Sequence, residues 1–400
     1  MANFLIGRQQ ILDRDLNTYA YEILFRGHDF NLQEANGATL ATNQVITDAL
    51  LEIGLNTIVG QHRAFINFTS QNILEKTPLN LPKERVVIEV LENVTVDLRI
   101  INHLREFSQQ GYMIALDDFV LSRAWLPLLA FADIVKLDVL QTQKTDLYAM
   151  IEHLKKYRVK LLAEKVETPE EFEALKALGC EYFQGFFFSK PNVIEGKRLG
   201  INQTAAIRLL SVINKPEVEL SEIAQVIAQD VSLSYKLLHY INSAFFSIPR
   251  KIESIQQALA YLGLNEIRRW VNVLTLSTLS DKPQALLQIS LIRARMCEQL
   301  AQRIKASPEQ FFLVGMLSSI DALLDMPIEE ALAQLPLTSD ISAAILRYEG
   351  MAGAALQCAI NYERWELSNL SFAQFDPQDI GHIYLESINW AKDVLGAISE

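Results

Sequence analysis

The stretch Met113-Ile-Ala-Leu-Asp-Asp-Phe119 decides the reading of the first half of this chain. An apolar run of strand length ends on two adjacent acids, Asp117 and Asp118. Adjacent carboxylates after a buried strand repel each other unless a cation sits among them. Working outward, the same arrangement recurs. Glu22 lies in Tyr21-Glu-Ile-Leu-Phe-Arg26, Asn67 near the end of Ala64-Phe-Ile-Asn-Phe68, and Glu89 in Val86-Val-Ile-Glu-Val90. Lys136 lies in Ile134-Val-Lys-Leu-Asp138, Glu164 ends Lys160-Leu-Leu-Ala-Glu164, and Gln184 follows Tyr182-Phe183. Almost every β-rich run therefore carries one polar residue late in the strand.

Between these runs lie stretches with apolar residues three and four apart: Thr42 to Ile53, Asp97 to Gln109, Thr145 to Lys156 and Pro169 to Leu178. That spacing predicts helices, and strand alternating with helix predicts a parallel sheet. Seven β-rich runs before residue 190, the last from Tyr182 to Phe187, favour a closed (β/α)8 barrel over an open sheet. Leu5 to Asn17 reads as an extended pair of strands turning near Asp13 to Asp15 that caps or enters the barrel. In such a barrel the C-terminal strand ends meet at one mouth. Several carboxylates and an amide gathered there favour hard divalent ions, Mg2+ or Mn2+, over zinc. Two such ions suit metal-assisted hydrolysis of a phosphodiester.

After Pro191 the β-rich runs stop and amphipathic helical stretches take over: Ala205 to Ile213, Glu222 to Ala228, Ser234 to Asn242 and Leu286 to Ile304. Pro216, Pro249, Pro283, Pro308, Pro327 and Pro336 fall where helices should break. The expected division is a barrel domain over residues 1–198 and an all-helical domain over 199–400, with the boundary near Gly196 to Ile201. A chain of 400 residues, half of them hydrophobic, can bury two cores.

A net charge of −12 argues against binding to nucleic-acid polymers, which needs a basic face. No apolar stretch reaches the roughly 20 residues of a membrane span, and the N-terminus lacks the basic and apolar runs of a signal segment, so the sequence reads as cytoplasmic. Cys180, Cys297 and Cys358 are too widely spaced for a zinc site or a disulfide framework and read as small buried hydrophobes.

In combination, these motifs resemble the EAL-domain phosphodiesterases of cyclic di-GMP over about residues 1 to 195. The carrying residues are Glu22-Ile-Leu-Phe-Arg26, with Ile23 where the family usually has Ala, together with Asn67, Glu89, Glu92, Asp117-Asp-Phe119, Lys136-Leu-Asp138, Ala163-Glu-Lys-Val-Glu167, Gln184-Gly-Phe186 and Ser189-Lys-Pro191. The resemblance implies a modified TIM barrel in which Glu22, Asn67, Glu89 and Asp117 bind one ion, while Asp117 and Asp118 serve the second. It implies that Glu164 and Gln184 hold metal-bound waters, Lys136 orients the nucleophilic water and Glu22 belongs to the catalytic set. Arg26 would contact a phosphate, Glu92 would anchor a loop and Glu167 would back the ligands. It further implies cyclic di-GMP as ligand and a homodimer formed through the barrel.

Two departures stand out. A Gly-Thr-Gly-Tyr-Ser-Ser-Leu-like loop of active relatives is replaced by Val120-Leu-Ser-Arg-Ala-Trp-Leu126, and the glycines of that loop permit backbone geometries that Val120 and Ser122 would adopt only with strain. Lys165 replaces the Gly after Glu164 and either adds a cation beside the metal mouth or is a solvated side chain, the second reading being favoured.

The second half resembles the HDOD domain, a helical relative of the HD phosphohydrolases. The match runs from Asp230-Val-Ser-Leu-Ser-Tyr-Lys-Leu-Leu238 through Asn242-Ser-Ala-Phe245 to Ile252-Glu-Ser-Ile255, Ala258 and Leu262-Gly263. In Gly315-Met-Leu-Ser-Ser-Ile-Asp321, serines stand where an HD hydrolase has His-Asp metal ligands. His239 and His382 lie in unrelated contexts, so this half is expected to bind a protein partner or regulate, not to catalyse. Two readings follow: a cyclic di-GMP phosphodiesterase, conditional on dimerisation or a partner, or a barrel that senses cyclic di-GMP without turnover and signals through the helical half.

Overall fold

The computed structural model describes residues 5–26, 53–141, 143–186, 201–215, 218–229, 231–242, 252–277 and 283–399. It divides into two compact units: Met1–Phe188 with Glu363–Ser368, and Ser189–Tyr362 with Asn369–Glu400.

The first unit is a closed eight-stranded barrel. Its strands are β1 (Leu5–Leu12), β2 (Thr18–Arg26), β3 (Arg63–Phe68), β4 (Val86–Val90), β5 (Met113–Leu116), β6 (Ile134–Asp138), β7 (Lys160–Val166) and β8 (Tyr182–Gly185). β2 through β8 run parallel to their neighbours. β1 runs antiparallel to both β2 and β8, which closes the ring. The expected strand pair within Leu5 to Asn17 is one strand, β1, whose partner starts only at Thr18. Asp13 makes the turn, its Oδ1 accepting from the N–H groups of Asp15 and Asn17. β8 ends at Gly185, short of the expected Phe187, which lies outside the described residues.

Helices between the strands include α1 (Leu55–Val59), α2 (Ser70–Leu74), α3 (Leu98–Gln109), α4 (Lys144–Leu154) and α5 (Pro169–Leu178). Their ends follow local chemistry. Asp97 caps α3 by accepting from Arg99 and Ile100, and Thr168 and Glu171 form a reciprocal capping box on α5. The helix expected over Thr42 to Ile53 falls almost wholly outside the described residues.

Alternation along the strands builds the interior. Ile11, Ala20, Phe65, Val87, Ala115, Ile134, Leu162 and Tyr182 form one buried apolar cluster. Because side chains alternate sides with period two, the residue two positions on in β2 to β8 also faces inward. Those residues are Glu22, Asn67, Glu89, Asp117, Lys136, Glu164 and Gln184. On the antiparallel β1 the offset reverses, so Gln9, two positions before Ile11, joins the same level. The barrel thus stacks a polar layer directly on an apolar one.

The second unit is helical, with α6 (Ile201–Ile213), α7 (Leu220–Gln229), α8 (Val231–Ile241), α9 (Ile255–Ser277), α10 (Gln284–Arg303), α11 (Pro308–Leu317), α12 (Ile320–Leu324), α13 (Ile328–Ala333), α14 (Ser339–Arg347), α15 (Gly350–Glu363) and α16 (Pro377–Ser399). Gly263 (φ 77°) interrupts α9. Pro283 and Pro327 precede α10 and α13, and Pro308 opens α11, each where no helical N–H is lost. Cys180, Cys297 and Cys358 are buried free thiols. Among the described residues, no helix is long and apolar enough to cross a membrane.

Candidate active site

The polar layer centres on Lys136, which is 1% exposed. Its ammonium lies 2.8 Å from Glu164 Oε1, 2.9 Å from Asp117 Oδ1 and 3.3 Å from Glu22 Oε2, and it also pairs with Glu89. Four strands besides its own therefore converge on one cation. Gln184 Nε2 donates to Glu22 Oε2 (2.8 Å) and to Gln9 Oε1 (2.7 Å), and Asn67 Nδ2 reaches Glu22 Oε1 at 3.4 Å. The structure brings together Glu22, Asn67, Glu89, Asp117, Lys136, Glu164 and Gln184, and adds Gln9.

One ammonium cannot neutralise this many acids. Burial raises the Glu89 pKa well above the usual range, with Glu22 and Asp117 adding to it against the pull of Lys136. Burial likewise pushes Glu164 up to about 8, Lys136 opposing and Asp117 and Glu22 reinforcing. Burial and neighbouring Asp117 raise Asp118. For Lys136, burial opposes the charge, but Glu164, Glu22, Glu89 and Asp117 outweigh it and raise its pKa well above normal. The site holds its lysine charged and its acids short of positive charge.

Among the described residues, three buried oxygens of the layer have no hydrogen-bond partner: Asn67 Oδ1, Glu89 Oε2 and Gln184 Oε1. Buried acceptors left this way carry a desolvation cost of about 1–3 kcal/mol each unless something donates to them or coordinates them. Asp117, Asp118 and Glu164 also present oxygens within 4.8 Å of one another. An all-oxygen donor set with orphaned acceptors fits hard divalent cations.

The mouth is shaped by unusual backbone. Asp118 has φ 41° and Lys165 φ 57°, both in the left-handed region. A Cβ at Gly185 would lie 2.0 Å from the Val166 carbonyl oxygen, so only glycine can follow Gln184 here. Lys165 is exposed, and its ammonium pairs with Asp138 Oδ2. Asp138 Oδ1 accepts from the N–H groups of Leu140 (2.8 Å) and Gln141 (3.0 Å). Burial would raise the Asp138 pKa, but Lys165 and these two N–H groups hold it below the usual range.

Neither Val120 nor Ser122 has positive φ, so neither adopts a geometry that glycine alone takes without strain. In this segment Phe119 is buried edge-on to Trp125, and Ser122 O accepts from the Trp125 and Leu126 N–H groups. Glu92 is exposed and makes no hydrogen bond or ion pair among the described residues. Glu167 is exposed, its N–H donating to Glu171 Oε2. Arg26 ends β2, and its side chain, like Ser189 to Pro191, lies outside the described residues.

In the helical unit, Ser319 Oγ lies 2.5 Å from Ser290 Oγ, and Ser318 Oγ donates to Gly315 O and accepts from Arg293 Nη1 at 3.3 Å. Hydroxyls and a guanidinium occupy the position where the resemblance would place metal ligands. Asn242 staples the chain instead of lining a polar site: its amide donates to Leu238 O and Ile252 O and accepts from Ile252 N–H. His239 and His382 are exposed on helices.

The EAL domain model matches residues 34–191 and the HDOD domain model residues 201–338. The cyclic di-GMP phosphodiesterase CdgJ of Vibrio cholerae serotype O1 is 36% identical over 399 residues, covering 97% of this chain and 92% of CdgJ. This chain belongs to the EAL-HDOD family. The uncharacterized protein YuxH of Bacillus subtilis, 32% identical over 404 residues, matches 98% of this EAL-HDOD chain and 99% of its own. Among solved structures, a PaMucR phosphodiesterase in complex with c-di-GMP aligns at 20% identity and TM-score 0.38, covering 46% of this chain and 94% of that one.

Two outcomes follow from the charge balance. Lys136→Met in EDTA should lose about 3–5 kcal/mol of barrel stability in urea denaturation, the cost of breaking a buried ion pair, and Mn2+ should restore the variant more than the parent; equal stability with and without Mn2+ would contradict the counter-ion role. Because a cation must displace protons from Glu164 and its raised neighbours, apparent Mn2+ affinity should increase from pH 6.5 to 8.5 with net proton release, measured by calorimetry in buffers of different ionisation heat; a pH-independent affinity would contradict it.

Proposed function

We propose that this chain hydrolyses cyclic di-GMP to the linear dinucleotide, in the cytoplasm, using two divalent ions, Mg2+ or Mn2+, with the helical half regulating the barrel or recruiting a protein partner. The observation that carries this is the inward polar layer, in which Glu22, Asn67, Glu89, Asp117, Lys136, Glu164 and Gln184 stand at one level of a closed barrel. Support also comes from CdgJ, named a cyclic di-GMP phosphodiesterase and alike over nearly its whole length.

Glu22, Asn67, Glu89 and Asp117 would hold one ion, and Asp117 with Asp118 the other. Bound there, the ions supply Lewis-acid polarisation of the phosphoryl oxygens and lower the pKa of water. The residues account for the rest. Lys136, kept protonated by its acids, donates hydrogen bonds and so orients the attacking water instead of taking its proton. A carboxylate of the layer accepts that proton as the new O–P bond forms. The bond from phosphorus to the ribose 3′ oxygen breaks, and that oxygen takes up a proton. Glu164 and Gln184 fix water beside Lys136, and Arg26 meets a substrate phosphate. Glu92 and Glu167 are assigned supporting roles in the loop and behind the ligands, and dimerisation through the barrel completes the reading.

The competing reading, a sensor that binds without turnover, draws on the altered loop Val120 to Leu126. Purified full-length protein with Mn2+ should convert cyclic di-GMP to the linear product, and Glu22→Ala and Lys136→Ala should each lose at least about a hundredfold in turnover, the scale of removing one positioned catalytic group. Retained binding without turnover by the parent, across metals and oligomeric states, would replace the enzyme by the sensor.

A further inference from the structure

The helical unit contains a cavity of about 240 Å3 bounded by α9, α11, the segment after α6 and the start of α14. Its lining is unlike the acidic layer of the barrel. Asn214 and Asn272 form a buried reciprocal amide pair, with Nδ2 to Oδ1 distances of 2.8 and 3.0 Å. Phe312 and Ile341 give it an apolar wall.

Three cations line it, and two are already matched. Lys215 pairs with Glu222 at 2.7 Å, and Arg269 pairs with Glu266 and Glu298. Among the described residues Arg268 has no acid partner: its Nε is buried without a hydrogen-bond partner, and its Nη2 donates to Lys215 O at 3.4 Å. Burial alone lowers its pKa, with no carboxylate to offset it. The lining acid, Glu309, is exposed, and its carboxylate is engaged by Asn265 Nδ2 at 3.0 Å and Ser307 Oγ at 3.3 Å. A partly buried guanidinium lacking its counter-charge costs stability unless a ligand provides one.

We propose that this cavity binds a small organic phosphate, with Arg268 as the anion anchor. A planar guanidinium fork matches phosphate oxygens, the amide pair offers polar edges, and the wall of Phe312 and Ile341 takes an apolar or flat body. The volume lies below the roughly 300–1,000 Å3 of drug-sized pockets, which favours a mononucleotide-sized ligand or smaller over a cyclic dinucleotide. The inference is independent of what the barrel does.

The test is calorimetry on the full-length protein with 5′-AMP, inorganic phosphate and adenosine as probes, on the parent, Arg268→Met and Glu22→Ala. Saturable binding of 5′-AMP, none of adenosine, a loss of at least about tenfold in Arg268→Met, as for a charged hydrogen bond, and no loss in Glu22→Ala are expected. Binding of inorganic phosphate with the same Arg268 dependence identifies free phosphate as a sufficient source. Without ligand, Arg268→Met should melt at or above the parent, because it removes an unpartnered charge. No saturable binding of either phosphate probe, binding lost in Glu22→Ala but not in Arg268→Met, or a ligand-free Arg268→Met that melts below the parent would overturn the proposal.

Discussion

Closure of the barrel is the constraint from which the site follows. Once eight strands close, every second side chain must point inward, and there is no solvent face to absorb a polar residue. The chain meets this by placing Ala20, Phe65, Val87, Ala115, Ile134, Leu162 and Tyr182 at one level and a polar residue two positions later in each strand. The apolar level gives the barrel its core. The polar level above it holds its charges where water is scarce and Coulomb interactions are strong.

Lys136 makes that polar level tolerable in the absence of other cations, gathering Glu22, Glu89, Asp117 and Glu164 from four other strands. It does so incompletely, which is why Glu89 and Glu164 are pushed toward their neutral forms and why Asn67, Glu89 and Gln184 keep unpartnered oxygens. The same shortage of positive charge that strains the layer would draw divalent ions into it. The helical half presents the opposite imbalance, a guanidinium at Arg268 without an acid partner among the described residues.

Much of this was legible in the sequence because it depends on strand period alone. A polar residue late in an apolar run needs no partner to be noticed, so Glu22 through Gln184 could be picked out one by one. Gln9 could not, since its place in the layer depends on β1 running antiparallel, which reverses the offset. The ion pair of Lys165 was hidden for a related reason: its partner Asp138 comes from the neighbouring strand, and Asp138 pairs in register with Glu164, one residue before it. The sequence showed that Val120 and Ser122 could follow a glycine-like path only with strain, but not which backbone they take: neither has positive φ, and Phe119 packs against Trp125. In the helical half the serines at 318 and 319 were readable as missing ligands, whereas the Arg268 cavity joins segments too far apart in sequence to signal it.

Anomalous diffraction from crystals of the full-length protein grown with Mn2+ and cyclic di-GMP would test the central claim that the inward polar layer is a cation site. The account predicts two manganese peaks at the barrel mouth, one within coordination distance of Glu22, Asn67, Glu89 and Asp117 and one of Asp117 and Asp118, with the Lys136 ammonium displaced from at least one of its carboxylates. Crystals with no manganese peak in this layer, and Lys136 still paired with Glu22, Glu89, Asp117 and Glu164, would contradict it.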